Sequence, residues 1–268
     1  MLLAVLTLIA YMIALHLGVL TWIAPIRNKE HKPYISNQIS IKTVFIVGVI
    51  ACGLHIANLY QQLAGQQYGQ NFTLANVASL ISLIMALIGT LALPKWKTIW
   101  FPLSVIYILN MVTVAVSSFV PGHFIKQIAE NTGLMFHLAI ATFSYALFFI
   151  ALLYAFQLKW LDTRLKNKTL MFSPLLPPLM TVERHFFSLT LIAQGLLTLV
   201  LITGMFYLHN FFSPEHIHKA IFSFMAWIVY NILLLGQWKL NWRGKRVLIY
   251  SISGMILLTI AYFGSRVV

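Results

Sequence analysis

The chain has 268 residues, 60% of them hydrophobic and only 9% charged, where soluble domains average about 25% charged. Its mean hydropathy of +0.86 excludes a soluble enzyme, a disordered chain and a nucleic-acid-binding domain, because a soluble fold of this length cannot hide so much apolar surface. The 18 Lys and Arg outnumber the 5 Asp and Glu, for a net charge of +13; on a membrane protein that excess marks cytoplasmic loops rather than affinity for nucleic acid.

Eight apolar stretches follow in chain order, at about residues 2–24, 43–63, 73–93, 98–119, 133–158, 185–208, 220–238 and 247–264. Each is long enough, at about 1.5 Å of rise per residue, to cross a hydrocarbon layer of about 30 Å. A transmembrane barrel would show alternating segments of about 10 residues instead. The predicted fold is an all-α integral membrane protein with eight transmembrane helices, forming a single polytopic domain over residues 1–268. The first stretch has no basic residue before it and no small-residue cleavage site after it, so it reads as a span rather than a leader. Residues 159–184 read as the longest loop, with Pro174, Pro177 and Pro178 halting the helix there. No internal repeat is visible, so the inverted-repeat signature of many transporters is missing.

The basic residues sort by loop. Arg27, Lys29, Lys32 and Lys42 follow the first stretch, and Lys95 and Lys97 follow the third. Lys159, Arg164, Lys166, Lys168 and Arg184 lie between the fifth and sixth, and Lys239, Arg243, Lys245 and Arg246 precede the last. These alternate loops hold 15 of the 18, leaving Lys126, Lys219 and Arg266 for the other side. The split places the first set in the cytoplasm and both termini outside.

Polar groups inside hydrocarbon need a partner or a cavity, which makes them the best pointers to function. The five acids, Glu30, Glu130, Asp162, Glu183 and Glu215, fall in loops or at span ends. That argues against a carboxylate-based proton pump or divalent-cation channel. The lone Cys52 reads as a small buried residue. The nine histidines therefore carry any metal chemistry, and imidazole is a common axial ligand of haem iron. His16, His55 and His137 lie within spans. His55 is about 3 Å outward of its helix centre, His137 about 12 Å outward and His16 about 4–5 Å inward, so the three do not share one metal ion. His137 sits high enough for His209, His216 and His218 to reach its level. Their loop also carries Phe211 and Phe212, and such an aromatic-lined outer pocket suits a flat tetrapyrrole. The ordinary reading of an intramembrane His is an interhelical bond. Asn58, one turn after His55, most simply caps its hydrogen bonding, and Asn110, Gln194 and Asn231 read as interhelical bonds. Trp96, Trp100, Trp160, Trp238 and Trp242 mark interfacial ends.

The stretch Gly133–His137 leading to Ser144 and Tyr145 resembles the histidine-bearing helix of the cytochrome c assembly family (CcsA/HemX-like). Thr181-Val-Glu183-Arg184 and Asn241-Trp242-Arg243-Gly244 are similar to that family's helix-start elements. Gly69–Asn76 and Ala261–Arg266 are similar to its YpjD-like branch. The resemblance covers essentially the whole chain. It implies a multi-pass protein of the bacterial inner membrane that handles haem at the outer face, with His137 as an external axial iron ligand. His209, His216 and His218, read from their position in the chain, and the in-span His55 stand beside it as further cofactor-binding candidates. The family's tryptophan-rich motif is absent between the sixth and seventh stretches, Gln237 stands where an intramembrane His is expected, and no His follows the last stretch.

Three readings follow. The first is a haem-binding or haem-handling protein related to cytochrome c biogenesis factors. The second is a small-molecule or ion transporter lined by His55, Asn58, Asn110 and Gln194. The third is an accessory subunit that stabilises another membrane protein. Membrane lipid, haem and another membrane protein are the expected partners, and nucleic acid is not. No nucleophile–base–acid set or phosphate loop is present, so no enzymatic activity is expected.

Overall fold

A computed structural model describes residues 1–27, 41–64, 70–120, 122, 125–126, 132–166, 177–207 and 217–264. Among the described residues eight helices are long and apolar enough to cross a membrane. They are α1 (Leu2–Arg27), α2 (Ile41–Ala64), α3 (Leu74–Ala92), α4 (Trp100–Phe119), α5 (Thr132–Lys166), α6 (Leu179–Tyr207), α7 (Ile217–Leu240) and α8 (Lys245–Phe263). The only other pairing among the described residues is a two-residue antiparallel contact of β1 (Gln70–Asn71) with β2 (Ile125–Lys126). The all-α, eight-span expectation therefore holds.

Two boundaries differ from the sequence reading by more than three residues. α5 continues to Lys166 and α6 begins at Leu179, so much of the supposed loop 159–184 is helix. Apolar periodicity marks where a helix leaves hydrocarbon, not where it ends. The 35 residues of α5 rise about 52 Å, well beyond the apolar layer. Its last turn is held by Asp162 and Lys166, whose charged groups meet at 3.0 Å, a favourable spacing on a helix surface. Pro177 and Pro178 stand directly before α6, where a missing N–H costs little.

The helices form two compact units, one from α1–α4 and one from α5–α8. In each, every helix packs on its chain neighbours, and the first packs on the last. Lipid supplies no hydrophobic drive between helices, so close packing and buried polar bonds must hold each ring. Thr73 caps α3 by accepting the backbone N–H of Asn76 at 3.2 Å, as N-cap hydroxyls do. In the first unit Thr90 and Tyr107 link α3 to α4 through hydroxyls 2.8 Å apart, and Asn110 Nδ2 donates to the Ser82 carbonyl at 3.0 Å. In the second unit Ser144 donates to the Ala193 carbonyl at 3.1 Å. Tyr145 and Thr259 hydroxyls meet at 3.0 Å. Phe148 stacks on Tyr230 with centroids 3.8 Å apart. Gly254 lets this aromatic pair lie flat on α8: a Cβ there would come within 2.6 Å of the Tyr230 ring.

Candidate functional site

His137 lies in the second turn of α5 and Thr203 in the last turns of α6. The two helices run antiparallel, and each residue is about 6–8 Å of rise from its own helix end, so they meet at one level. His137 Nδ1 and Thr203 Oγ1 are 3.0 Å apart. The threonine hydroxyl has one proton, and it donates that proton to the Leu199 carbonyl at 2.8 Å. Its lone pair is thereby left to accept Nδ1–H from the imidazole. With Nδ1–H as the donor in this bond, Nε2 carries the lone pair, and no Nε2 hydrogen bond is made among the described residues. Metal-ligating histidines are held in this way, with the distal nitrogen pinned and the other presented.

The surroundings are apolar. His137 is half-buried, and Met135, Phe136, Met205 and Phe206 are exposed beside it in sequence on the same two helix ends. His218 stands in the first turn of α7, exposed, at the same end of this unit. His209 and His216 lie outside the described residues, as do Phe211 and Phe212. Among the described residues no three His, Cys, Asp or Glu side chains cluster around a metal position. A haem needs less, because it brings its own equatorial ligands and asks the protein for axial ones. One presented imidazole beside exposed apolar side chains fits that demand.

His55 has a different environment. It is fully buried in the first unit, with Nδ1 3.1 Å from the Tyr11 hydroxyl and Nε2 2.8 Å from Ser79 Oγ. Both nitrogens are thus engaged, tying α2 to α1 and α3. The Tyr11 hydroxyl donates to Cys52 Sγ at 3.8 Å, so the lone cysteine is buried beside a hydroxyl. Asn58 does not cap His55; its Nδ2 donates to Ser118 at 3.2 Å, because one helical turn carries it toward α4. Gln194 bonds across to the Trp227 carbonyl of α7 at 3.1 Å, as expected. Asn231 does not: it donates back to Trp227 on its own helix at 2.9 Å. His16 is exposed on α1.

Thr203 escaped the sequence reading. Its signal was available: a hydroxyl about as far from the end of the sixth stretch as His137 is from the start of the fifth.

Fold and site together define a multi-pass helical membrane protein in which an imidazole, bonded through Nδ1 to Thr203, stands near the end of a four-helix unit. The chain belongs to the cytochrome c assembly protein family, which it matches over residues 43–268. It is similar to the inner membrane protein YpjD of Escherichia coli strain K12, and to the YpjD proteins of strains O6:H1 and O157:H7. Each is 42% identical over 228 residues, covering 85% of this chain and 86% of the relative. No solved structure matches the chain. It is accordingly a multi-pass protein of the inner membrane.

Proposed function

We propose that this protein binds haem at the outer face of the inner membrane through His137 and presents it during cytochrome c biogenesis. The observation that carries this reading is the Thr203 contact, which engages Nδ1 at 3.0 Å and leaves Nε2 available to ligate iron. Membership of the cytochrome c assembly family and the basic-residue split, from which His137 is expected outside, support it. His218, and the sequence neighbours His209 and His216, supply candidates for the opposite axial position. His55 serves packing in the first unit. The protein acts by binding and presentation rather than by bond-making chemistry.

The test is optical. Purified chain in mild detergent is titrated with haem, and oxidised and reduced spectra are recorded. A Soret shift is expected that His137→Ala abolishes and that His209→Ala/His216→Ala/His218→Ala alters in position. No shift, or a shift indifferent to all four substitutions, sinks the proposal.

A further inference from the structure

The two motifs that the haem reading leaves unexplained, Thr181–Arg184 and Asn241–Gly244, meet at the opposite end of the second unit. α7 ends at Leu240 and is followed by Asn241, whose φ of 49° places it in the left-handed cap conformation. Its N–H bonds the Gln237 carbonyl at 3.0 Å. Trp242 then folds back onto Gly236, where any Cβ would strike the indole. Gly244, with φ of 65°, starts α8. This tight turn aims Arg243 at α6, where Nε donates to Glu183 Oε1 at 3.0 Å and Nη2 reaches Met180 Sδ at 3.7 Å.

The pair stands at the mouth of an open groove of about 720 Å³ between α6 and α7. Phe187, Leu191, Leu234, Leu235 and Trp238 form its walls, and Arg184, Arg243, Glu183 and Gln237 gather at its mouth. At the inner end Asn231 spends its Nδ2 on its own helix. From Met180 to Leu191 the groove follows about 16 Å of helix rise, which matches one leaflet, half of a hydrocarbon layer of about 30 Å. Two guanidiniums against one carboxylate leave the mouth positive. Among the described residues no imidazole lines it, and its one sulfur, Met180 Sδ, already accepts from Arg243, so these residues offer iron no ready ligand.

We propose that this groove is a specific site for one anionic phospholipid, with acyl chains along the α6–α7 walls and the phosphate on Arg184 and Arg243. Basic residues at a membrane face attract anionic lipid generally; here a preformed cleft adds depth and fixed orientation. Glu183 holds Arg243 across the mouth while leaving its Nη1 for the phosphate. This site is independent of His137 and stands or falls separately from haem binding.

The full-length chain is delipidated in detergent and mixed with phosphatidylglycerol or phosphatidylcholine in turn. Bound lipid is then counted by native mass spectrometry. About one phosphatidylglycerol per chain is expected to be retained, and phosphatidylcholine much less. Arg184→Gln/Arg243→Gln should lower phosphatidylglycerol retention roughly thirtyfold, as loss of two surface-facing cations at about 1 kcal/mol each predicts, and Lys95→Gln/Lys97→Gln in the other unit should not. Glu183→Gln frees a guanidinium and should hold retention level or raise it, which decides the matter if the double variant fails to fold. Equal retention of the two lipids, an unaffected double variant, weaker retention in Glu183→Gln, or displacement of phosphatidylglycerol by haem overturns the proposal.

Discussion

Thr203→Val is the sharpest test of how His137 is prepared for iron. Valine keeps the branched shape of threonine, so α6 should be undisturbed. Only the hydroxyl at 3.0 Å from Nδ1 is replaced, by a methyl that cannot accept a proton. The imidazole then loses a hydrogen bond worth about 0.5–1.5 kcal/mol and is free to adopt the tautomer with its proton on Nε2. Partners of this kind typically change metal affinity by about 10–100-fold, equivalent to about 1.4–2.8 kcal/mol. Haem titration followed at the Soret band should show Thr203→Val weakened within that range. Thr203→Ser, which restores the oxygen, should stay within about twofold of the native chain. Circular dichroism controls for the fold. Native-like affinity in Thr203→Val, or an equal loss in the serine variant, would refute the tautomer argument and leave the contact as mere packing.

His55→Ala should destabilise the first unit by about 2–4 kcal/mol, through two lost interhelical bonds and a cavity, without altering a haem spectrum; a thermal melt and a Soret titration on one sample check both, and loss of the spectrum in a folded variant contradicts the packing role. Gly254→Val should cost at least about 1–3 kcal/mol by overpacking, because Tyr230 is stacked on Phe148 and cannot retreat. Gly195→Ala is the control: a Cβ there meets nothing within 4 Å, so its melting point should hold or rise. For topology, Cys52→Ala removes the lone thiol. Lys126→Cys should then be labelled by an impermeant maleimide from outside intact cells and Lys97→Cys only after lysis; the reverse pattern would invert the assigned orientation.

The helices were legible because the constraint that makes them is one-dimensional. A span needs a run of apolar residues, and composition reveals it directly. The ends of α5 and α6 were not, because charged turns beyond the membrane remain helical through local pairs such as Asp162–Lys166. His137 stood out in the sequence by its depth and the family pattern, whereas its partner Thr203 did not. The destination of each side chain was harder. His55 and Asn58 share a helix face in the sequence, yet one reaches α1 and α3 and the other α4, a choice made by neighbours far away in the chain. Asn231 could bond across or back along its own helix with equal local justification. Tertiary packing decides such cases, and a 3.6-residue period carries no information about it.

The two units divide the polar chemistry unequally, and the division points to where a ligand can act. In the first, the central groups of the interior are spent on one another: Tyr11, His55 and Ser79 bind in series, and Thr90 closes on Tyr107. Extracting His55 for iron would break two interhelical bonds at once. In the second, the informative groups stand at the ends of the helices. His137 makes no Nε2 hydrogen bond among the described residues at one end, and Arg184 and Arg243 bring positive charge to the other. An interhelical bond inside a bilayer yields only about 0.6 kcal/mol on average, so a helical ring needs several of them in its centre but can leave its rims uncommitted. The ends of α5–α8 are therefore the places where an imidazole or a guanidinium can remain available without loosening the bundle, and both binding proposals fall there.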